Sequence, residues 1–344
     1  MNWIQEKANL LRTFPPDGRY LIGVSGGRDS VALVHWLINI GYKNLILCHL
    51  NHRLRGRSSD ADARFVQKLV DRHNHTQVEQ APCLSGSRRS KRNASPTSRK
   101  PDLRFELGTV DVRAFATKQK MSIETAARDS RYSFFAKVAK RRHCHTIFLA
   151  HHADDLVETF LINLFRGAGS AGLAGMHEVS TRCIDDVGLT VVRPLLGVWR
   201  KQIDIYVHKH GIPFREDASN KNLNPLRNRV RHRVIPYLEK IFGRNIRSAI
   251  WRTATITGEE GAWIEKQLPY SAEAQLSVGR LRALPVALQR RAILKWLRAQ
   301  NVAEVGFDIV ERIRSLLDPA VPIAKVNLTR DQHVRRRTGK IFIE

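Results

Sequence analysis

Tyr20-Leu21-Ile22-Gly23-Val24-Ser25-Gly26-Gly27-Arg28-Asp29-Ser30 is the stretch on which the fold turns. Residues 20–25 form an apolar run of strand length, and residues 30–40 repeat their apolar positions with helical spacing. The two glycines between them let the backbone approach a phosphate closely. The start of the following helix offers amide N–H groups and the positive end of a dipole. Ser25 and Ser30 add hydroxyls. Asp29 repels a bare phosphate, so its place in the loop points to a Mg²⁺ between carboxylate and polyphosphate. The lysine of a Walker A loop is missing, which weighs against a P-loop kinase or GTPase. A bare Ser-Gly-Gly is an ordinary strand-to-helix turn; Asp29-Ser30 after an apolar strand shifts the reading towards nucleotide binding.

Outward from this loop, residues 44–51, about 106–112 and 146–150 also read as strands. Residues 60–73, 123–141 and about 154–165 read as helices. Strands alternating with helices predict an α/β fold: a parallel sheet with right-handed crossovers, whose ligands bind beyond the carboxyl ends of the strands near the topological switch point. After about residue 215 the alternation stops, and helical stretches at 226–242, 246–268 and 285–300 predict a smaller helical C-terminal domain. A short basic hairpin at 326–344, turning near Thr338-Gly339, closes the chain. The expected division is 1–215, a connecting segment 216–240, and 241–344.

A second motif, Ala150-His151-His152-Ala153-Asp154-Asp155-Leu156-Val157-Glu158-Thr159, runs from the last of these strands into a helix. Asp155 and Glu158 are three apart and share a face. One aspartate would serve helix capping; three acids with two histidines exceed that need. Adjacent histidines point in different directions and HExxH is absent, so zinc is disfavoured. Carboxylates beside a nucleotide loop suit Mg²⁺ or the ammonium group of an amine substrate. In the third motif, Glu124, Arg128, Arg131 and Tyr132 fall at helical spacings; alone they read as a solvated face, and Arg128 is a candidate for a phosphate or carboxylate.

The 344 residues carry 58 Lys and Arg against 32 Asp and Glu, a net charge of +26. An excess of this size fits a polyanion partner, with nucleic acid first. The bland alternative is a surface charged for solubility. Residues 82–105 concentrate basic residues among Ser and Pro, and are expected to form a basic insertion without a core of its own. Glu6 and Lys7 with no apolar core before Pro15 predict no secretory leader, and no apolar run is long enough for a membrane span. Cys48, Cys83, Cys144 and Cys183 supply no CxxC pair, which predicts a reduced, cytoplasmic protein. The oligomeric state stays open, a homodimer included.

At Ser25-Gly26-Gly27-Arg28-Asp29-Ser30 the sequence resembles the PP-loop ATP pyrophosphatase superfamily, with its SGGxDS fingerprint. Several further segments match in order: the stretch from Glu124 to Phe135, Ala150 to Thr159, Arg166-Gly167-Ala168-Gly169, Gly172 to Met176, Arg193-Pro194-Leu195-Leu196 and Glu216 to Asn220. Together with Arg227-Asn228, Arg231-His232 and Ile235-Pro236, these make the chain resemble the tRNA-isoleucine lysidine synthetase family over roughly residues 20–240. The resemblance implies adenylation by ATP of the wobble cytidine of a CAU anticodon in tRNA(Ile), then attack by L-lysine to give lysidine, AMP and pyrophosphate. It implies Ser25, Gly26, Gly27, Arg28, Asp29 and Ser30 for ATP and Asp29 for Mg²⁺. It also implies Asp155 and Glu158 for lysine, His151 and Arg128 completing the catalytic pocket, and Arg193, Arg227 and Arg231 for RNA. Two departures stand out. The chain reads His49-Leu50-Asn51-His52 where many relatives carry an acid, and only about 105 residues follow Leu238. The rival readings are a PP-loop tRNA thiolase, disfavoured by the cysteine spacing, and a non-catalytic basic RNA-binding module, disfavoured by the intact acids.

Overall fold

The computed structural model describes residues 8–54, 56–75, 102–216, 225–268, 274–302, 305–318, 320, 325–328 and 332–344. In chain order these form α1 (Ala8–Thr13), β1 (Arg19–Gly23), α2 (Arg28–Asn39), β2 (Asn44–Asn51), α3 (Arg57–His75), β3 (Asp102–Thr109), α4 (Val112–Gln119), α5 (Ile123–Arg142), β4 (Thr146–Phe148), α6 (Ala153–Phe165), α7 (Ser170–Leu173), β5 (Val179–Ile184), β6 (Val187–Val192) and α8 (Arg200–Lys209). They continue with α9 (Leu226–Arg229), a π-helical turn (Val230–Val234), α10 (Ile235–Phe242), α11 (Ile246–Gln267), β7 (Leu276–Ser277), α12 (Val278–Arg282), α13 (Val286–Ala299), α14 (Phe307–Ser315), β8 (Lys325–Asn327), β9 (His333–Arg337) and β10 (Lys340–Ile343). Two compact units result, one of residues 1–156 and 176–237, the other of 157–175 and 238–344. No helix among the described residues is long and apolar enough to cross a membrane.

The first unit is built on a six-stranded sheet in the order β3-β2-β1-β4-β6-β5. All its pairs are parallel except β5 with β6. Side-chain alternation along β1 divides the core. Tyr20 and Ile22 join Leu33, Leu37 and Phe148 on one face, while Leu21 joins Phe135, Ala139 and Ile147 on the other. Each such buried Leu, Ile or Phe side chain contributes roughly 1.5–3 kcal/mol relative to exposure. The chain runs outward from β1 to β2 and β3, then returns through α5 to β4 on the other side of β1, so the switch point lies between β1 and β4.

Local chemistry fixes the ends of the elements. Ser122 accepts a hydrogen bond from the Thr125 N–H at 3.1 Å to start α5, and His143 in the left-handed region (φ 49°) ends it. Glu106, buried in β3, is held by Arg141 and Arg142 from the last turn of α5, Arg142 Nε donating at 2.6 Å. The antiparallel β5–β6 hairpin, which the sequence reading did not predict, turns on Asp185 and Asp186, both with positive φ (48° and 61°).

The expected strand at 106–112 forms four residues earlier, as β3 at Asp102–Thr109, in register with the whole of β2. The last four residues of the expected basic insertion at 82–105 are therefore sheet, and residues 82–101 lie outside the described residues.

The second unit carries the expected helices at 246–268 and 285–300 as α11 and α13, together with α12 and α14, which were not expected, around a core that includes Leu281, Ile293, Trp296 and Ile313. It also holds a four-stranded sheet in the order β7-β10-β9-β8. The hairpin expected near Thr338-Gly339 is its β9–β10 pair, extended by the antiparallel edges β7 and β8. On α11 the buried faces of Ala254, Gly258 and Gly261 are small, and α7 packs against this helix.

Candidate active site

The exits of β1 and β4 flank the switch point, and the site is built from them. From β1 the chain turns at Gly26, whose φ of +86° is the left-handed conformation that favours glycine. Ser30 secures the turn: its Oγ donates to the Gly27 carbonyl at 2.8 Å, receives the Ser25 N–H at 3.3 Å and lies 3.2 Å from Ser25 Oγ. Gly27 precedes α2 with no side-chain cap, so no side chain competes for the first amides of α2, which have no acceptor within the helix. A short strap closes the loop from the far side. The Arg215 N–H donates to the Gly26 carbonyl at 3.0 Å, and the Arg215 guanidinium pairs with buried Asp62.

Arg28 does not face the loop's free amides. Its Nη1 lies 2.5 Å from Asp204 Oδ1 and its Nη2 3.3 Å from Glu216 Oε1, with the guanidinium 4.7 Å from the Phe214 ring centroid. It fastens α2 to α8 and the strap, its guanidinium meeting two carboxylates and a ring.

At the exit of β4, His152 is 2% exposed in its side chain and sits among three carboxylates. Its Nε2 is 3.8 Å from Asp29 Oδ2 and 3.5 Å from Asp155 Oδ2, and its Nδ1 is 3.7 Å from Asp154 Oδ2. Arg200 Nη1 reaches Asp29 Oδ2 at 3.8 Å, while the Arg200 N–H donates to Asp154 Oδ2 at 3.0 Å. Asp29 Oδ1 is buried with no hydrogen-bond partner. Asp155 accepts the His152 N–H at 3.0 Å and is approached by Arg227 Nη2 at 3.1 Å and Arg231 Nη2 at 3.4 Å. Burial by itself raises the Asp155 pKa, but His152, Arg227 and His151 more than offset this and hold the carboxyl well below the usual range. Burial pulls His151 down to about 3, Asp155 opposing and Arg193, Arg227 and Arg131 assisting, so its imidazole is neutral near pH 7. Its Nδ1 is buried without a partner.

A family model described as a PP-loop domain matches residues 2–238, and one described as a TilS substrate binding domain matches residues 276–342. The chain belongs to the tRNA(Ile)-lysidine synthase family. The tRNA(Ile)-lysidine synthase of Geobacter sulfurreducens is 33% identical over 342 residues, 95% of this chain and 65% of the relative. That of Thermosynechococcus vestitus is 31% identical over 332 residues, 93% of this chain and 85% of the relative. The chain thus spans about two thirds of the first relative's length and most of the second's. Among solved structures, the U34-tRNA thiolase NcsA from Methanococcus maripaludis aligns with a TM-score of 0.48 at 15% identity, over 75% of this chain and 79% of that one.

Set against the sites the family resemblance implied, the first unit brings Ser25, Gly26, Gly27, Ser30, Asp29 and Asp155 to one crevice and adds His152, Asp154 and Arg200, to which the sequence reading gave no role in catalysis. Arg193 was expected as an RNA contact. It is 3% exposed, with Nη1 donating to the His177 carbonyl at 2.8 Å and to Ser180 Oγ at 3.0 Å. The apolar neighbours Val191, Val192, Pro194 and Leu195 were the available signal of that burial. Arg227 and Arg231 face Asp155, so their described partner is a carboxylate. Arg128 is exposed on α5, 5.9 Å from the Tyr132 ring centroid. Glu158, one turn beyond Asp155 on α6, is fully buried and falls in the second unit. Asn51 is buried; its Nδ2 donates to Asp60 at 2.8 Å and its Oδ1 accepts the Arg53 N–H at 2.9 Å. Asp217 to Asn220 of the Glu216 motif lie outside the described residues.

Proposed function

We propose that this protein attaches L-lysine to C2 of the wobble cytidine, position 34, in the CAU anticodon of tRNA(Ile), in two steps at one site. In the first, cytidine O2 attacks the α-phosphorus of ATP, and pyrophosphate leaves. In the second, the ε-amine of lysine attacks C2, the C2–O bond breaks, AMP leaves, and the amine gives up its extra proton. Lysidine at this position would move codon reading from AUG to AUA.

The observation that carries this reading is the meeting of Asp29 with the His152 and Asp155 cluster across the switch point. A nucleotide loop and an ionised carboxylate site then open on one crevice, as adenylation followed by amine attack requires. Ser25, Gly26, Gly27 and Ser30 would receive the phosphates through hydroxyls and helix-start amides, with Arg28 keeping the loop in place. Among the described residues no group of three His, Cys, Asp or Glu side chains is placed to hold a metal ion alone. Asp29, with a buried oxygen lacking a partner, fits a Mg²⁺ shared with ATP oxygens. When bound, that ion would neutralise charge on the departing pyrophosphate.

Asp155, ionised at neutral pH, and Glu158 are the proposed receivers of the ammonium groups of lysine. Neutral His151 is proposed to hydrogen-bond within the pocket, and Arg128 to close its outer side.

The test is incorporation of radiolabelled lysine into a tRNA(Ile) transcript with a CAU anticodon. ATP-dependent labelling confined to the wobble cytidine and lost in Glu158→Gln is the expected result. Adenylated RNA that never acquires lysine would sink the amine assignment, and RNA binding with neither step would leave a binding module.

A further inference from the structure

Within the second unit, α13 divides its residues between two surroundings. Ala292, Ile293, Trp296 and Leu297 enter the core, while Arg291, Lys295 and Arg298, spaced by four and three, line a second face towards α11. There they enclose a cleft of about 250 Å³, with Leu294 and, from α11, Glu265 completing its wall. Three cations and one carboxylate leave the cleft with an excess of two positive charges.

Arg291 is the unusual member. Its side chain is 9% exposed, its Nη2 is buried with no hydrogen-bond partner, and its Nε lies 3.6 Å from Glu265 Oε1. The guanidinium packs against the backbone of α11 at Gly261, where an added Cβ would meet Nη2 at 3.4 Å. A buried donor without an acceptor is the feature a bound anion would satisfy. Lys295 Nζ lies 3.4 Å from Glu265 Oε2, and Lys295 and Arg298 are exposed, so the cleft combines one fixed, desolvated fork with two cations open to solvent.

We propose that this cleft is a phosphate seat that takes one backbone phosphodiester of the tRNA, anchored by Arg291 and steered by Lys295 and Arg298. The choice of an RNA phosphate over free phosphate rests on the tRNA reading above. It is supported by the open mouth lined with Lys295 and Arg298, which a chain passing along the surface can reach, and by the net charge of +26. Glu265 is then a restraint on the site, holding its cations apart when no phosphate is present.

The experiment measures binding of the CAU tRNA(Ile) transcript to the full chain across a KCl series, for wild type, Lys295→Ala/Arg298→Ala, Arg291→Lys and Glu265→Gln. The double variant alters only exposed side chains and is expected to fold normally. It should bind about five- to tenfold more weakly, with a salt slope shallower by up to about one. Arg291→Lys should weaken binding even though the charge is kept, because the fork is lost. Glu265→Gln should tighten it about two- to threefold. A wild type that binds the transcript while all three variants match it in affinity and slope overturns the seat and leaves the tRNA reading intact. A wild type that fails to bind the transcript overturns the tRNA reading itself. Inorganic phosphate is the discriminating probe: if it raises the melting temperature of wild type but not of the double variant, and transcript binding is equal, the seat is for free phosphate and the RNA assignment falls.

Discussion

The exits of β1 and β4 open on the same crevice but are made by different means. The first is largely local: Ser25, Gly27 and Ser30 are bound to one another within six residues, with Arg215 at Gly26 and the Arg28 pairs to Asp204 and Glu216 tying the loop to the rest of the unit. The second is assembled from distant chain: His152 and Asp155 acquire their surroundings from Asp29 on α2, Arg200 on α8, Arg227 on α9 and Arg231 in the π-helical turn. A backbone cradle suits phosphate, whose charge is spread over several oxygens. A balanced set of charges holds a carboxylate ionised in a half-buried place, where burial alone would neutralise it.

The strongest way to break the comparison is at its meeting point. Asp29→Ala is expected to lower kcat/KM for ATP-dependent lysine transfer by about a hundredfold or more. Circular dichroism should be unchanged; activity within threefold of wild type would remove the crevice from the chemistry.

The charge balance at β4 comes next. Arg227→Ala takes one of two guanidinium groups from Asp155 and should cost roughly 1.5–3 kcal/mol of stability in urea titration. In an Arg227→Ala/Asp155→Asn double variant the two losses should fall short of their sum, whereas additive losses would show that the pair does not interact.

Acid titration sharpens the same contrast. Folded His151 protonates near pH 3 against an ordinary value of 6.5, so the unfolded chain binds the extra proton first and stability should fall as the pH drops from about 6.5 to about 3. Asp155 has a depressed folded pKa, so its stabilisation is complete above the unfolded carboxylate value near 4 and is lost below it. His151→Asn should flatten the upper limb and Asp155→Asn the lower, read from melting temperatures between pH 7 and pH 2. At the β1 exit the expected effect is smallest. Gly26→Ala forces a left-handed alanine and should cost about 1–2 kcal/mol, with a raised KM for ATP and kcat little changed.

The same division explains what could be read from the sequence. The β1 loop was legible because its determinants lie together in one short segment. The β-α alternation was legible too, and with it the parallel sheet, since β2 forms where its apolar run lies. Strand order was not legible, and without the β1–β4 adjacency nothing marks His152 as the histidine that faces Asp29. Arg193, Arg227 and Arg231 were expected at RNA from the family resemblance, and nothing in the sequence marks an arginine that, like Arg193, donates to His177 and Ser180 inside the fold or, like Arg227 and Arg231, faces a carboxylate. The missed hairpin was different. Its alternating Leu189 and Val191 and its Asp185-Asp186 turn were visible, and the β-α rhythm obscured them.

The pairing of β2 with β3 begins at Asn44 with Asp102, so the sheet does not depend on how many residues lie between α3 and β3. The entropy of closing a connection rises only with the logarithm of its length, and halving one changes it by about 0.6 kcal/mol. Residues 76–101 carry Arg88, Arg89, Lys91, Arg92, Arg99 and Lys100 against Glu79, five of the 26 excess positive charges. Their number is therefore open to wide variation at little thermodynamic cost, and removing them all would still leave a strongly cationic protein. In this chain, length at that point can change while the pairing of β2 with β3 stays fixed.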